Sequence, residues 1–356
     1  MADAAAAAEE AGADGLWEPS YYSLVALEKM MRVPQLAAVV DADKGDGDCG
    51  LLSCCSEMLL HPHAWVRVAA ARVLGVAMSA VKAEAVVAAW EERTTTREEK
   101  KTKKKKSKKQ KQQKGSGNAT LSLFLAPGEL FLLIRRTCRQ LESAMLTEAL
   151  ATQAVRNLLV ACKVASAVPD LAFSGDDDEA ANGEAKDNEK DKDPLSWVFH
   201  RMSFMARSNS ARATVRRSAV FKFFAAMATQ FPVDAVCKKY LVVMLSPLFR
   251  VTNGQAQSEG GSDAPATSKL RMLASEVEAL LSKLAGEKAF VEAYNEVRAQ
   301  VASIRESRKR KVAELAIRDP EAAARRKVQK NRRKMERRKA AGKGKGKKRS
   351  RKEFQV

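Results

Sequence analysis

Apolar residues recur along the chain at three- and four-residue intervals, in blocks long enough for helices and set apart by polar or proline-containing breaks. Tyr21, Leu24, Val25, Leu27 and Met31 predict a first helix over 16–33, which Pro34 limits because proline disfavours helix in the residue before it. Residues 51–60 form a short helix ending at His61-Pro62, 63–80 a second, and 81–93 continue it or start a third. Residues 129–146 and 147–167 read as a helical hairpin, and Pro194 opens a helix to about Arg207. Residues 211–230 and 233–250 make another antiparallel pair, split by Phe231-Pro232, and 268–285 add one more helix. From Glu287 the pattern stays helical to about Ala341, interrupted at Asp319-Pro320.

Between these blocks the periodicity vanishes. The segments 1–15, 94–119, 170–193 and 252–267 are alanine-rich, lysine-rich, acidic and Gly/Ser-rich in turn, and each is expected to be disordered. The map that follows has helical repeats at 16–93, a hairpin at 120–169 and repeats at 194–251. C-terminal helices occupy 268–318, and a basic helix and tail occupy 319–356. Paired helices with short or polar connections predict an all-α chain, a HEAT-like α-solenoid end with a long basic C-terminal helix and disordered insertions. Val66-Arg67-Val68-Ala69-Ala70 and Val215-Arg216-Arg217-Ser218-Ala219 share a V-R-x-x-A pattern. The small residue there lets neighbouring helices approach, and the valine is expected to face the stack. An unrelated helical bundle would imitate the same pattern.

Composition agrees: aromatic residues are 6% and Gly and Pro number 18 and 10, too few turn formers for a sandwich or barrel. The net charge of +20 is concentrated. Segments 97–114 and 305–356 are strongly basic and 170–193 is acidic, leaving a nearly neutral body. Basic appendages on a neutral body point to a polyanionic partner, nucleic acid or an acidic protein. No CxxC pair and no secretory pattern is present, so the thiols are expected to be reduced, in cytosol or nucleus. No apolar run reaches membrane-spanning length, and no membrane contact is expected.

Catalysis finds no support. The only histidines are His61, His63 and His200, and no nucleophile elbow, zinc-protease or phosphate-loop motif occurs. Cys49, Cys54 and Cys55 near His61 and His63 lack paired zinc spacing and read as core thiols and a helix start. No enzyme activity, metal, cofactor or small-molecule ligand is expected.

The C-terminus carries the chemistry. Phe290, Tyr294, Val297, Val301 and Ile304 form an apolar stripe fit to dock on the solenoid or a partner, weakly extended by Val312 and Leu315. Asp319-Pro320-Glu321 is an N-cap, a first-turn proline and a first-turn acid, so a new helix starts there. Around it lie Arg325, Arg326, Lys327, Lys330, Arg332, Arg333, Lys334, Arg337, Arg338 and Lys339. A helix so charged is self-repelling and gains most by ordering on a polyanion, and phosphate backbones meet that demand. No aromatic follows Tyr294 until Phe354, so binding rests on shape and charge rather than base stacking. Lys103, Lys104, Lys105 and Lys106, with Arg308, Lys309, Arg310 and Lys311, are candidate nuclear-import clusters.

Three stretches in this order carry a family resemblance. They are Leu60-His61-Pro62-His63-Ala64-Trp65-Val66-Arg67, Tyr240-Leu241-Val242-Val243-Met244-Leu245-Ser246-Pro247-Leu248-Phe249-Arg250, and Asp319-Pro320-Glu321-Ala322-Ala323-Ala324-Arg325-Arg326-Lys327. They resemble the C-terminal end of the U3 small nucleolar RNA-associated protein 20 family, the DRIM family of very long HEAT-like solenoids. The resemblance covers roughly residues 16–340 apart from the insertions. It implies a non-catalytic scaffold in the nucleolar small-subunit processome, acting in pre-rRNA processing toward 18S rRNA. Pre-rRNA, processome proteins and the U3 snoRNP are the implied partners, and the nucleus and nucleolus the implied location. The sequence departs from the family in length, having only the last few repeats, so a truncated, split or short version is expected. A HEAT-repeat nuclear-transport adaptor and a chromatin- or DNA-binding scaffold are the alternatives that composition leaves open.

Overall fold

The computed structural model describes residues 17–33, 35–36, 51–82, 84–92, 128–143, 145–168, 194–207, 213–253 and 265–350. All regular structure among these residues is helical. The segments 1–15, 94–119 and 170–193, and most of 252–267, lie outside the described residues. The chain divides into two compact units, with the boundary between Ala293 and Tyr294.

In the first unit, α1 spans Trp17–Met31, and α2 spans Leu51–Glu57 and tightens into a 3-10 turn over Met58–Leu60. Helix α3 is Ala64–Ser79 and α4 covers 84–92. Helices α5 (Glu129–Glu142) and α6 (Glu148–Ala167) follow, then α7 (Pro194–Ala206) and α8 (Thr214–Gln230). Helix α9 (Lys239–Thr252) precedes α10 (Pro265–Ala285). Sequential helices pack as pairs: α2 with α3, α5 with α6, α7 with α8, and α9 with α10. The second helices then pack in series, α3 on α6 on α8 on α10, with α1 closing the row against α3. The first helices form the parallel series α2, α5, α7, α9. The unit is therefore two rows of helices enclosing one apolar layer.

Small residues set the spacing within a row. Gly75 in α3 sits where an added Cβ would collide with Gln153 Nε2 on α6. Beside it the buried Asn157 Nδ2 donates to the Ala71 carbonyl at 2.8 Å, and its Oδ1 accepts from Gln153 Nε2. Larger rings fill the later pairs: Phe199 stacks on Tyr240 at 4.3 Å, and Phe223 and Phe224 are fully buried beside it. Cys55, Cys138 and Cys162 are buried as small apolar groups, and burial pushes the thiols of Cys55 and Cys138 up to about 12.

Breaks have identifiable causes. Phe231-Pro232 stops α8, and the chain resumes through a π-turn at Asp234–Lys238, where the Lys238 N–H donates to the Val233 carbonyl. Pro247 lies inside α9, where it removes one ladder donor. Gly286, at φ 85°, ends α10 in the left-handed conformation that glycine adopts without a Cβ penalty.

The two V-R segments differ in environment. Val66 is completely buried, whereas Val215 is only half-buried and lines an open groove, so the expectation that both valines face the stack holds for Val66 alone. Val215 is the second residue of α8, at the rim of the layer. The arginines converge instead. Arg67 Nη1 donates to the carbonyls of His61 and Pro62 at 2.8 and 2.6 Å, and its Nη2 reaches Ser143 Oγ at 3.4 Å. Arg216 donates through Nε and Nη2 to the Leu141 and Glu142 carbonyls, both at 2.6 Å. Arg201 pairs with the Glu142 carboxylate at 2.5 Å. The C-terminus of α5, the negative end of its dipole, thus gathers arginines from the pairs on either side.

The second unit contains the later part of α11 (Glu287–Arg318) and all of α12 (Pro320–Ser350). Along the predicted stripe, Val297 is fully buried and Val301 half-buried, and Ile304 and Val312 are exposed.

Candidate nucleic-acid interface

Helix α12 starts where its first residues dictate. Pro320 supplies no N–H, and the Ala322 N–H donates to Asp319 Oδ1 at 2.8 Å, a side-chain cap. Glu321 then occupies the first turn, favoured by the positive end of the dipole. From 324 to 336 every side chain is exposed, so α12 buries no stripe there.

Its charges are segregated. Arg325 pairs with Glu321 at 3.0 Å and Arg332 with Glu336 at 3.1 Å, each one turn apart. At about 100° per residue these four groups share one side of the helix. Arg326, Lys330 and Arg333 fall on a stripe away from that side, flanked by Lys327 and Lys334. None of these five makes an ion pair among the described residues. Lys339 is exposed, and for Arg337 and Arg338 the helix backbone alone is described, their positions continuing the basic side. The sequence places cations all round α12; the unpaired Arg326, Lys327, Lys330, Arg333 and Lys334 form an arc opposite the paired acids, while Lys339 falls back on the paired side. Such an arc can neutralise several phosphates at once, and it offers no ring for base stacking.

Of the import candidates, Lys103, Lys104, Lys105 and Lys106 lie outside the described residues. Arg308, Lys309, Arg310 and Lys311 are exposed on α11, with Arg310 held by Glu306 at 2.6 Å.

A second basic surface lies in the first unit. A groove of about 540 Å3 is lined by α6, α8 and α10, with Arg156, Lys222 and Lys269 on its walls, hydroxyls of Thr152 and Ser218, and Glu148 as its acid. Sequence reasoning missed it because its cations come from three helices far apart in the chain. The one signal was that α8 carries Arg216, Arg217 and Lys222 without an acid.

Around residue 60, Cys55 is buried as expected of a core thiol, Cys54 is exposed against that expectation, and Cys49 lies outside the described residues. His63 stacks on Trp17 at 3.9 Å, and its backbone N–H donates to His61 Nδ1 at 3.0 Å. Burial, then the charges of His63 and Arg67, holds His61 below the usual imidazole range. Among the described residues no group of His, Cys, Asp and Glu is arranged to hold a metal ion. No single described helix is long and apolar enough to cross a membrane.

The family model for the small subunit processome component 20 homolog, C-terminal, matches residues 129–343. That match takes in α5 to α11 and most of α12, so the pairs α5–α6, α7–α8 and α9–α10 and the basic helix fall within one family region, and α1 to α4 precede it. The chain therefore belongs to the small subunit processome component 20 homolog family, through that family's C-terminal region.

Proposed function

We propose that this chain is a non-catalytic scaffold of the nucleolar small-subunit processome, a HEAT-like solenoid end supporting pre-rRNA processing toward 18S rRNA. Its paired helices carry protein contacts, and α12 grips RNA through phosphates. One observation carries this reading: the residues that the processome family model matches include both the helical pairs from α5 to α10 and the helix bearing the arc of unneutralised cations. Arg326, Lys327, Lys330, Arg333 and Lys334 contact phosphates directly, while Arg325 and Arg332 exchange Glu321 and Glu336 for phosphate at small cost, because exposed pairs of this kind are weak. Arg337 and Arg338 extend the track, and Lys339 adds a cation on the opposite side of the helix. The groove of Arg156, Lys222 and Lys269 adds a shorter cationic footing for phosphates.

In this reading the partners are pre-rRNA, processome proteins and the U3 snoRNP, and the segments 94–119 and 170–193, with the part of 252–267 between α9 and α10, are dispensable insertions. Lys103–Lys106 and Arg308–Lys311 direct nuclear import. The test is ultraviolet crosslinking of the tagged full chain in cells, followed by sequencing of the bound nucleic acid. Reads concentrated in pre-rRNA upstream of or within 18S, lost when the five unpaired α12 cations are neutralised, support the proposal. Recovery of genomic DNA would favour a chromatin scaffold, and recovery of no nucleic acid would contradict the RNA assignment.

A further inference from the structure

Phosphate binding explains the cations of α12 but not the apolar surface beside them. Helices α11 and α12 meet at Asp319-Pro320, where the proline removes the donor that would continue the α11 ladder. Around this break one cavity of about 420 Å3 is lined by Val312, Leu315 and Ala316 from α11 and by Ala323, Ala324, Arg326, Lys327 and Lys330 from α12. Val312 and Lys330 would stand about 27 Å apart on one straight helix, so the shared cavity marks a bend with these residues on its inner side. The floor is aliphatic: Val312 is 68% exposed, and Leu315 and Ala323 are half-buried. The rim is wholly basic.

We propose that this notch docks a protein partner, an acidic segment carrying one bulky aliphatic or aromatic anchor. The anchor fills the space between Leu315 and Ala323, and carboxylates on either side meet Arg326, Lys327 and Lys330. The chemistry selects this occupant. RNA would use the rim and leave the aliphatic floor wet, and a floor without aromatic rings offers a base nothing to stack on. A second copy of the chain would bring the same basic rim against itself, an unfavourable meeting of like charges. An acidic segment with an apolar anchor satisfies floor and rim together. Because Arg326, Lys327 and Lys330 belong to the phosphate-binding arc, peptide and RNA compete for them. The inference rests on the geometry of the bend and stands whether or not the RNA reading does.

The test uses the full chain and two fluorescein-labelled peptides of alternating Asp and Glu, one with a central Leu-Phe pair and the other with Ala-Ala in its place. At physiological ionic strength the anchored peptide should bind about tenfold tighter or better, the gain expected from burying one large side chain. Ala324→Trp, which fills an exposed side of the notch, should erase that preference while leaving affinity for an RNA hairpin within about twofold, since it removes no charge. Circular dichroism confirms that the variant keeps its helices. Equal affinity for the two peptides would overturn the proposal by reducing it to charge attraction, and so would an anchor preference that survives Ala324→Trp. Concentration-dependent dimerisation abolished by Ala324→Trp would assign the notch to a second copy and overturn it as well.

Discussion

Arg216→Met isolates the device that ties neighbouring helical pairs together. Methionine keeps most of the aliphatic stem, so packing changes little, but the Leu141 and Glu142 carbonyls lose two donors at 2.6 Å each. Hydrogen bonds to charged groups contribute about 1.5–3 kcal/mol apiece. Arg216 is half-buried, so water reaches the freed carbonyls and recovers roughly half of that. The net cost should be about 1.5–3 kcal/mol, a fall in melting temperature of about 3–12 °C for a unit of this size. Arg216→Lys should recover only part of it, because an ammonium cannot present two donors in a fixed fork. Urea titration followed by circular dichroism, with melting curves in parallel, measures both variants. A loss below about 0.5 kcal/mol for Arg216→Met would refute the claim that arginines at the C-terminus of α5 hold adjacent pairs together.

The remaining predictions address the core and its titrating groups. Val66→Asp should cost roughly 3–5 kcal/mol, since it places an unpaired carboxylate at a fully buried site, whereas Val215→Asp at the groove rim should cost less than about 1; chemical denaturation distinguishes them, and equal costs would contradict the different burial of the two valines. Iodoacetamide labelling of the native chain, read by mass spectrometry, should modify Cys54 well before Cys55, Cys138, Cys162 and Cys237, and urea should remove the difference. Burial raises the Glu278 carboxyl above its ordinary value despite the Thr252 hydroxyl that donates to it at 3.1 Å. A raised folded-state pKa means that the contribution is fully present below the ordinary carboxylate range and is lost as pH rises through the folded value. Glu278→Gln should therefore match or exceed the parent's stability at pH 7 and lose that advantage in acid; an advantage that grows in acid would reverse the sign.

How much was legible depended on whether the cause was local. The start of α12 was readable from Asp319-Pro320-Glu321 because capping, the missing proline donor and the dipole act within one turn. The end of α8 at Phe231-Pro232 was readable for the same reason, although the π-turn after it was not, since its wider hydrogen bonding leaves no compositional trace. Periodicity could not separate Val66 from Val215: a shared pattern fixes a face of a helix but not how far that face extends under a neighbour. The partners of Arg67 and Arg216 around Ser143 and Glu142 lie more than seventy residues away, and only the stacking of helices brings them together. On α12 the residue types were plain, but the segregation of charge emerged only once the pairs Glu321–Arg325 and Arg332–Glu336 assigned the acids to one side. The notch at Val312, Leu315 and Ala323 was hidden because it depends on the bend between two helices that each look merely charged.

The central claim, that α12 holds RNA by its phosphates, is tested most directly by the salt dependence of binding to a structured RNA. The full chain should show a log–log slope of roughly −4 to −7, as expected when about six to eight phosphates are neutralised. Neutralising Arg326, Lys327, Lys330, Arg333 and Lys334 together should flatten the slope by about one unit for each phosphate that no longer meets a cation. A shallow slope, or a steep one that these five substitutions leave unchanged, would contradict the account.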